Sequence, residues 1–122
     1  MEQQVEDGRL VKALATFLRA YVARPQLVGQ QQGWSPTIEL RAIDTSATVS
    51  IPFVDGVPQP WRSDSGASAP TLVVSSDERT LCEVLELRLS PNEPYLFGEL
   101  TVQGPEADFI RLDYIASEIC PP

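Results

Sequence analysis

Ser90-Pro91-Asn92-Glu93-Pro94-Tyr95-Leu96-Phe97-Gly98-Glu99-Leu100-Thr101-Val102-Gln103-Gly104-Pro105 is the stretch whose reading decides the fold. Ser90 is a favoured helix N-cap, Pro91 suits the first helical position, and Glu93 stands where a capping-box glutamate would reach back to the cap. Gly98 is the natural stop for that helix, because glycine enters the left-handed backbone region without steric cost. From Glu99 to Gln103 polar and apolar residues alternate, which puts Leu100 and Val102 on one face of a half-buried strand. Gly104 breaks the strand and Pro105 opens a last helix running to Ile119. Glu106 and Asp108 lie in its first turn, where the helix dipole favours anions. The order is therefore short helix, strand, long helix, with almost no slack between them.

Working back towards the N-terminus, Leu81, Val84, Leu85 and Leu89 give a central helix one apolar face, and Ser75-Ser76-Asp77-Glu78 predicts its capping box. Arg79 and Glu83 are spaced to pair on its outer side. Thr71 to Ser75 reads as a strand, preceded by a polar loop over Ser63 to Ala69. Asp55-Gly56 is a hairpin turn. It joins a strand from Ala47 to Val54, with Val49, Ile51 and Phe53 on one face, to an edge strand from Val57 to Arg62 that carries Pro58 and Pro60. Thr37 to Ile43 alternates likewise, with Ile38, Leu40 and Ala42 on one face. Residues 28–33 are expected to form a loop. A first helix is predicted from Asp7 to Ala23, striped by Leu10, Leu14, Phe17, Leu18 and Tyr21 and ended by Pro25.

Composition bounds the function. The chain has 122 residues, 43% of them apolar and 21% charged, values ordinary for one folded domain. Its formal charge of -8, with eight arginines and the single Lys12 against the acids, disfavours nucleic acid and anionic membrane as partners. No apolar run is long enough to span a bilayer, so no integral-membrane role is expected. The acidic start Met1-Glu2-Gln3-Gln4 predicts no secretory leader, and Cys120-Pro121-Pro122 is not a peroxisomal address. Two cysteines, Cys82 and Cys120, form no disulfide framework, and a reducing cytoplasm is the expected compartment. There is no histidine, which removes the Ser-His-Asp and Cys-His arrangements and the commonest metal ligand. The glycines form no phosphate or dinucleotide loop, and neither catalytic residue, metal nor cofactor is expected.

The stretch from Ser90 to Ile119 resembles the C-terminal half of the sterol carrier protein 2 family, the nonspecific lipid-transfer domain, and the resemblance as a whole covers about residues 33–119. Leu89, Pro91 and Phe97 match its proline-led short helix, and Gly98, Leu100, Val102 and Gly104 match its G-x-L-x-[I/V]-x-G strand. Upstream, residues 71–77 resemble its last strand before the central helix, and residues 33–40 its first strand. Two departures stand out: Pro105 follows Gly104 where the family has aspartate, and the glycine that ends the family's central helix is replaced within Glu86-Leu87-Arg88. The resemblance implies an α+β fold, a mostly antiparallel five-stranded sheet covered by helices, with residues 1–122 forming one free-standing, bacterial-type domain. It also implies an apolar tunnel between the layers.

The residues expected to line that tunnel are Phe17, Phe53, Leu72, Val74, Leu85, Leu89, Tyr95, Leu96, Phe97, Leu100, Val102 and Phe109. The same side chains would form an ordinary core if the layers closed. The implied guest is an apolar small molecule, a fatty acid, acyl chain or sterol-like compound. The helix around Tyr95 to Phe97 and the last helix would form the gate, with Tyr95 or Tyr114 orienting a polar head. Two other readings stand beside this carrier. An enzyme or enzyme accessory of small-molecule biosynthesis would need a polar group such as Glu39, Asp113 or Tyr114 facing the cavity. A structural module, a homodimer for instance, would have a filled core.

Overall fold

The computed structural model describes residues 8–62 and 70–119, so the predicted loop over 63–69, the start of the first helix at Asp7 and Cys120 lie outside the described residues. Helix α1 (Arg9–Val22) buries Leu10, Leu14, Phe17, Leu18 and Tyr21, the predicted stripe. Pro25 does end it, but the residues that follow are not all loop. Pro25 opens a second helix, α2 (Pro25–Gln30), which buries Leu27. Proline at a first helical position fixes φ and lacks only an N–H that would be unpaired there anyway.

Strands β1 (Thr37–Ala42), β2 (Thr48–Val54), β3 (Val57–Pro58), β4 (Leu72–Ser76) and β5 (Thr101–Gln103) form one sheet in the order β3-β2-β1-β4-β5. The β1–β2, β2–β3 and β4–β5 pairs are antiparallel and the central β1–β4 pair is parallel. The register aligns apolar rows across the sheet. Val49, Leu40, Val74 and Val102 make one row, and Ile51, Ile38 and Leu72 the next. Because side chains alternate faces along a strand, these rows share one face, and α1, α3 (Glu78–Leu85) and α5 (Glu106–Ile119) join it in a continuous apolar core. The edge strand is shorter than expected. Pro58 and Pro60 interrupt the ladder after two residues, and pairing resumes only as a bridge between Ser50 and Arg62. The hairpin turn forms as predicted, with φ of 50° at Asp55 and 79° at Gly56.

Two caps differ from the sequence reading. Ser75 and Ser76 remain in β4, and the N-cap of α3 is Asp77, whose carboxylate accepts from the Thr80 N–H at 2.7 Å. Hydrogen bonding from Thr80, first its side chain and then this N–H, holds the Asp77 carboxyl below its ordinary range. The Ser76 hydroxyl instead donates to the Glu99 carbonyl at 2.5 Å, tying β4 to the start of β5. On helix α4 (Asn92–Leu96) the N-cap position is Pro91, with no side-chain cap of its own. The cap comes from another element: Asp113 on α5 accepts from the Ser90 hydroxyl at 3.2 Å and the Asn92 N–H at 3.3 Å. The α4 exit follows the prediction. Gly98 has φ 76°, its N–H bonds Tyr95 O, and Glu99 N–H bonds Pro94 O at 2.8 Å, a Schellman closure.

Helix α3 ends earlier than predicted, at Leu85, which leaves Leu89 outside it and half-buried. The cause is Leu87, which sits at φ 65°. Its N–H bonds Val84 O and the Arg88 N–H bonds Glu83 O, the pattern that a terminal glycine normally supplies. Leucine therefore occupies the left-handed position where the resembled family carries glycine. At Gly104, φ is 131° and a Cβ would overlap the Thr71 carbonyl oxygen and come within 3.1 Å of Leu72 Cα, so glycine lets β5 turn into α5 against β4.

Candidate functional site

A small, mostly enclosed apolar space lies between the covered sheet face and the helices. Leu40 and Val74 from the sheet, Leu100 just before β5, Phe17 of α1, Leu81 and Leu85 of α3, Pro91 at the head of α4, and Phe109, Leu112 and Ala116 of α5 border it. Its volume is about 30 Å³, with no polar atom on its wall. That is room for no more than a few atoms, and an apolar void of this kind stays dry. Among the described residues the open tunnel implied by the resemblance is not seen: sheet and helices meet around this space, which is too small for an acyl chain. Larger depressions are open grooves: one of about 390 Å³ near Arg24, Leu27, Gln30 and Glu118 has a mixed polar and apolar wall, and two of about 490 Å³ and 440 Å³, each lined in part by Val22, are mainly apolar.

Of the twelve residues expected to line a tunnel, Phe17, Val74, Leu85, Leu100 and Phe109 meet at this space. Phe53 and Leu72 are buried in the same core but away from it. Phe53 packs against Trp34 at 5.2 Å and edge-on to Tyr21 at 6.3 Å. Val102 and Leu89 are half-buried. Tyr95 is partly exposed with its ring 4.9 Å from Phe109, while Leu96 and Phe97 face solvent. The reason is helical phase. In a five-residue helix ended by a Schellman turn, Pro94 takes the inward position, and the next turn points outward. Leu112 and Ala116 were not singled out in the sequence. Their spacing of three and seven residues from Phe109 is the signal that identifies them as one helix face.

None of the three polar candidates faces the space. Glu39 is buried, but strand alternation places it on the opposite face from Ile38 and Leu40, where it pairs with Arg41 and the Ser50 hydroxyl approaches at 3.4 Å. Asp113 caps α4, and the Tyr114 hydroxyl donates to Gln30 Oε1 at 3.0 Å.

The polar chemistry gathers instead where α5 meets α2 and the hairpin. Arg111 donates to Oε1 of the buried Gln31 at 2.6 Å and lies 5.6 Å from the Trp34 ring centre. Trp34 Nε1 donates to Asp108 at 2.9 Å. Gln31 Nε2 bonds the Leu27 carbonyl at 3.0 Å. The Tyr21 hydroxyl donates to the Gly56 carbonyl at 2.6 Å, and burial pushes its phenol up to about 12, opposed by the Arg111 guanidinium. These groups satisfy one another and clamp α5. Helix α4 has less to hold it: the two contacts to Asp113, the buried Pro94 and the Tyr95–Phe109 ring contact. The wall of the space thus has a fixed side and a lightly tethered side.

The sequence matches no family model and no curated protein. Solved structures do match. A sterol carrier protein 2 superposes with a TM-score of 0.66 over 89% of this chain and 91% of its own, at 19% identity. This is the sterol carrier protein 2 fold. The ubiquinone synthesis protein UbiJ-SCP2 matches at a TM-score of 0.67 and 13% identity, over 90% of this chain and 94% of its own. The sec-alkylsulfatase Pisa1 from Pseudomonas sp. matches at 0.59 and 16% identity over 74% of this chain, which spans only 14% of that enzyme's length. Identities this low carry the sterol carrier protein 2 fold and nothing finer. Within that fold the chain has an α+β architecture with an open, mixed five-stranded sheet, and among the described residues no helix is long and apolar enough to cross a membrane.

Proposed function

We propose that residues 1–122 act as one domain that binds an apolar small molecule, a fatty acid, acyl chain or sterol-like compound, between its sheet and helices. The observation that carries the proposal is the wholly apolar wall of the enclosed space, in a fold shared with a protein named as a sterol carrier. Phe17, Val74, Leu85, Leu100 and Phe109 would touch the guest. Since α5 is clamped by Arg111 and Trp34, the gate reduces to α4: lifting it off Asp113 and Phe109 would let the space swell along the half-buried Leu89 and Val102. Burial of a few hundred Å² of ligand at about 25 cal/mol per Å² supplies several kcal/mol against the cost of that opening. Tyr95, beside the opening, would meet a polar head. A reducing cytoplasm is the compartment this reading assigns.

The test is a titration of the delipidated recombinant protein with a fluorescent fatty acid and a fluorescent sterol. Saturable uptake is expected, and Asp113→Ala, which releases the head of α4, should speed it. Absence of saturable binding to either probe would remove the reading.

A second role for the same space, handing an apolar intermediate to a biosynthetic enzyme, is favoured by the likeness to UbiJ-SCP2. The absence of any polar atom on the wall argues against this chain doing the chemistry itself. A dimer in light scattering combined with no ligand uptake would instead support a structural module, for which the small size of the space is the supporting fact.

A further inference from the structure

Val22, Val57 and Trp61 stay 50%, 46% and 38% exposed, and all three border one shallow trough. Two adjoining hollows of about 490 Å³ and 440 Å³ form it, and Val22 stands between them, bordering both. One wall belongs to α1 and α2. The other belongs to the hairpin, β3 and the residues just after it. These walls run in opposite directions, so Arg19 and Trp61 border one hollow while Val28 and Asp55 border the other.

The backbone along this rim is poorly suited to receive another strand. Pro58 and Pro60 have no N–H, and the Val57 carbonyl already accepts from Gln59 Nε2 at 3.0 Å. An extended peptide would find little of the ladder that strand addition needs, so a partner has to be held by side chains. The charges say which partner fits. Among the described residues bordering the trough, Arg19 is the one base and Asp55 the one acid, and they stand at opposite ends. Both are exposed, and the Gly33 N–H orients the Asp55 carboxylate by donating to Oδ1 at 3.1 Å. A purely cationic or purely anionic partner would meet one favourable and one unfavourable charge. Copies of a chain with a formal charge of -8 repel one another, and they meet most easily where the local charge is balanced and each sign faces its opposite. A two-fold axis across the trough does this, because it reverses one copy end for end and makes every contact twice.

We propose that this trough is the contact surface of a two-fold homodimer, in which Val22 of each copy enters the hollow beside Asp55 of the other and Arg19 of each copy pairs with that Asp55. Trp61 is covered as the two surfaces close. No residue bordering the trough borders the enclosed apolar space, so the dimer is independent of the ligand-binding reading.

The experiment is light scattering of the full chain over a range of protein concentrations. The wild type should pass from monomer to dimer as concentration rises. Quenching of tryptophan emission by acrylamide should fall in step, since Trp34 is already buried and Trp61 becomes so. Val22→Asp and Arg19→Glu, both at exposed helical positions, should each weaken association about tenfold or more. Asp55→Lys should do the same. An equimolar mixture of the Arg19→Glu and Asp55→Lys chains should dimerise again, because the two introduced charges then face each other and so do the two native ones. Thermal melting shows whether each variant is folded. If Asp55→Lys unfolds for want of its bond to Gly33, the first two variants still decide. The proposal is overturned if the wild type is monomeric at every concentration, if its dimer survives both Val22→Asp and Arg19→Glu, or if the mixture of folded variants stays monomeric. Fatty-acid uptake on the same samples separates the two ideas. Absence of uptake alone removes the ligand reading, and a monomeric wild type that takes up fatty acid removes only the dimer.

Discussion

Tyr21 shows how one side chain ties distant parts of the chain together. It is fully buried on α1, yet its hydroxyl reaches the hairpin carbonyl of Gly56 at 2.6 Å. Tyr21→Phe would leave that carbonyl without its partner, at a cost of about 1–2 kcal/mol. Its pH dependence has a definite sign. Burial raises the phenol from 10.0 to about 12, so the folded state favours the protonated form. The stability from Tyr21 is fully present below its ordinary value of 10.0 and is lost as pH rises through about 12. Urea unfolding of wild type and Tyr21→Phe should therefore show a gap that narrows above pH 10, and a constant gap would contradict the assignment. In the sequence Tyr21 was legible only as part of an apolar stripe. Its hydroxyl partner lies 35 residues away, beyond the reach of periodicity.

At the scale of elements, the helix ends separate local from non-local causes. The Gly98 turn was legible because its requirement, a left-handed residue, is met by the residue itself. The cap on α4 was not legible, because Asp113 comes from another helix and satisfies the donors that Ser90 was expected to serve. The end of α3 is the instructive case. Leucine has no intrinsic preference for φ 65°, yet Leu87 adopts it because the chain must turn there and the side chain packs against the core. The left-handed cost for a residue bearing Cβ is about 1–2 kcal/mol. Leu87→Ala loses the packing and keeps the cost, while Leu87→Gly loses the packing and removes the cost. The glycine variant should accordingly be more stable than the alanine variant by about 1 kcal/mol in chemical denaturation, the reverse of their order at an ordinary helical position. Helix α2 was missed for a related reason: a proline that stops one helix is also well suited to start another.

For the whole molecule the decisive quantity is the space between the layers. At about 30 Å³ it is too small for a ligand as it stands, so the proposed binding would do work against packing, with α4 the element proposed to give way. Leu100→Ala, truncating a buried side chain on the wall, should cost about 2–4 kcal/mol. The same substitution enlarges the space, so added fatty acid should raise the variant's melting temperature by more than it raises the wild type's. Equal shifts would place the ligand elsewhere. This opposition of stability and capacity follows from the proposed reading, in which the same apolar atoms that form core with the gate shut would form the binding wall with it open.

Helix α2 apart, the order of elements, the hairpin at Asp55-Gly56, the covered face of every main strand and the likeness to the sterol carrier protein 2 fold were written in the sequence. Each depends on periods and turns set by neighbours a few residues apart. Tertiary structure alone decided that five of the twelve expected wall residues converge, that Leu96 and Phe97 point to solvent, that Glu39 lies behind the sheet, and that the layers meet. Those outcomes depend on the angle and distance at which separate elements pack. A single strand or helix carries no information about how closely its partner will approach.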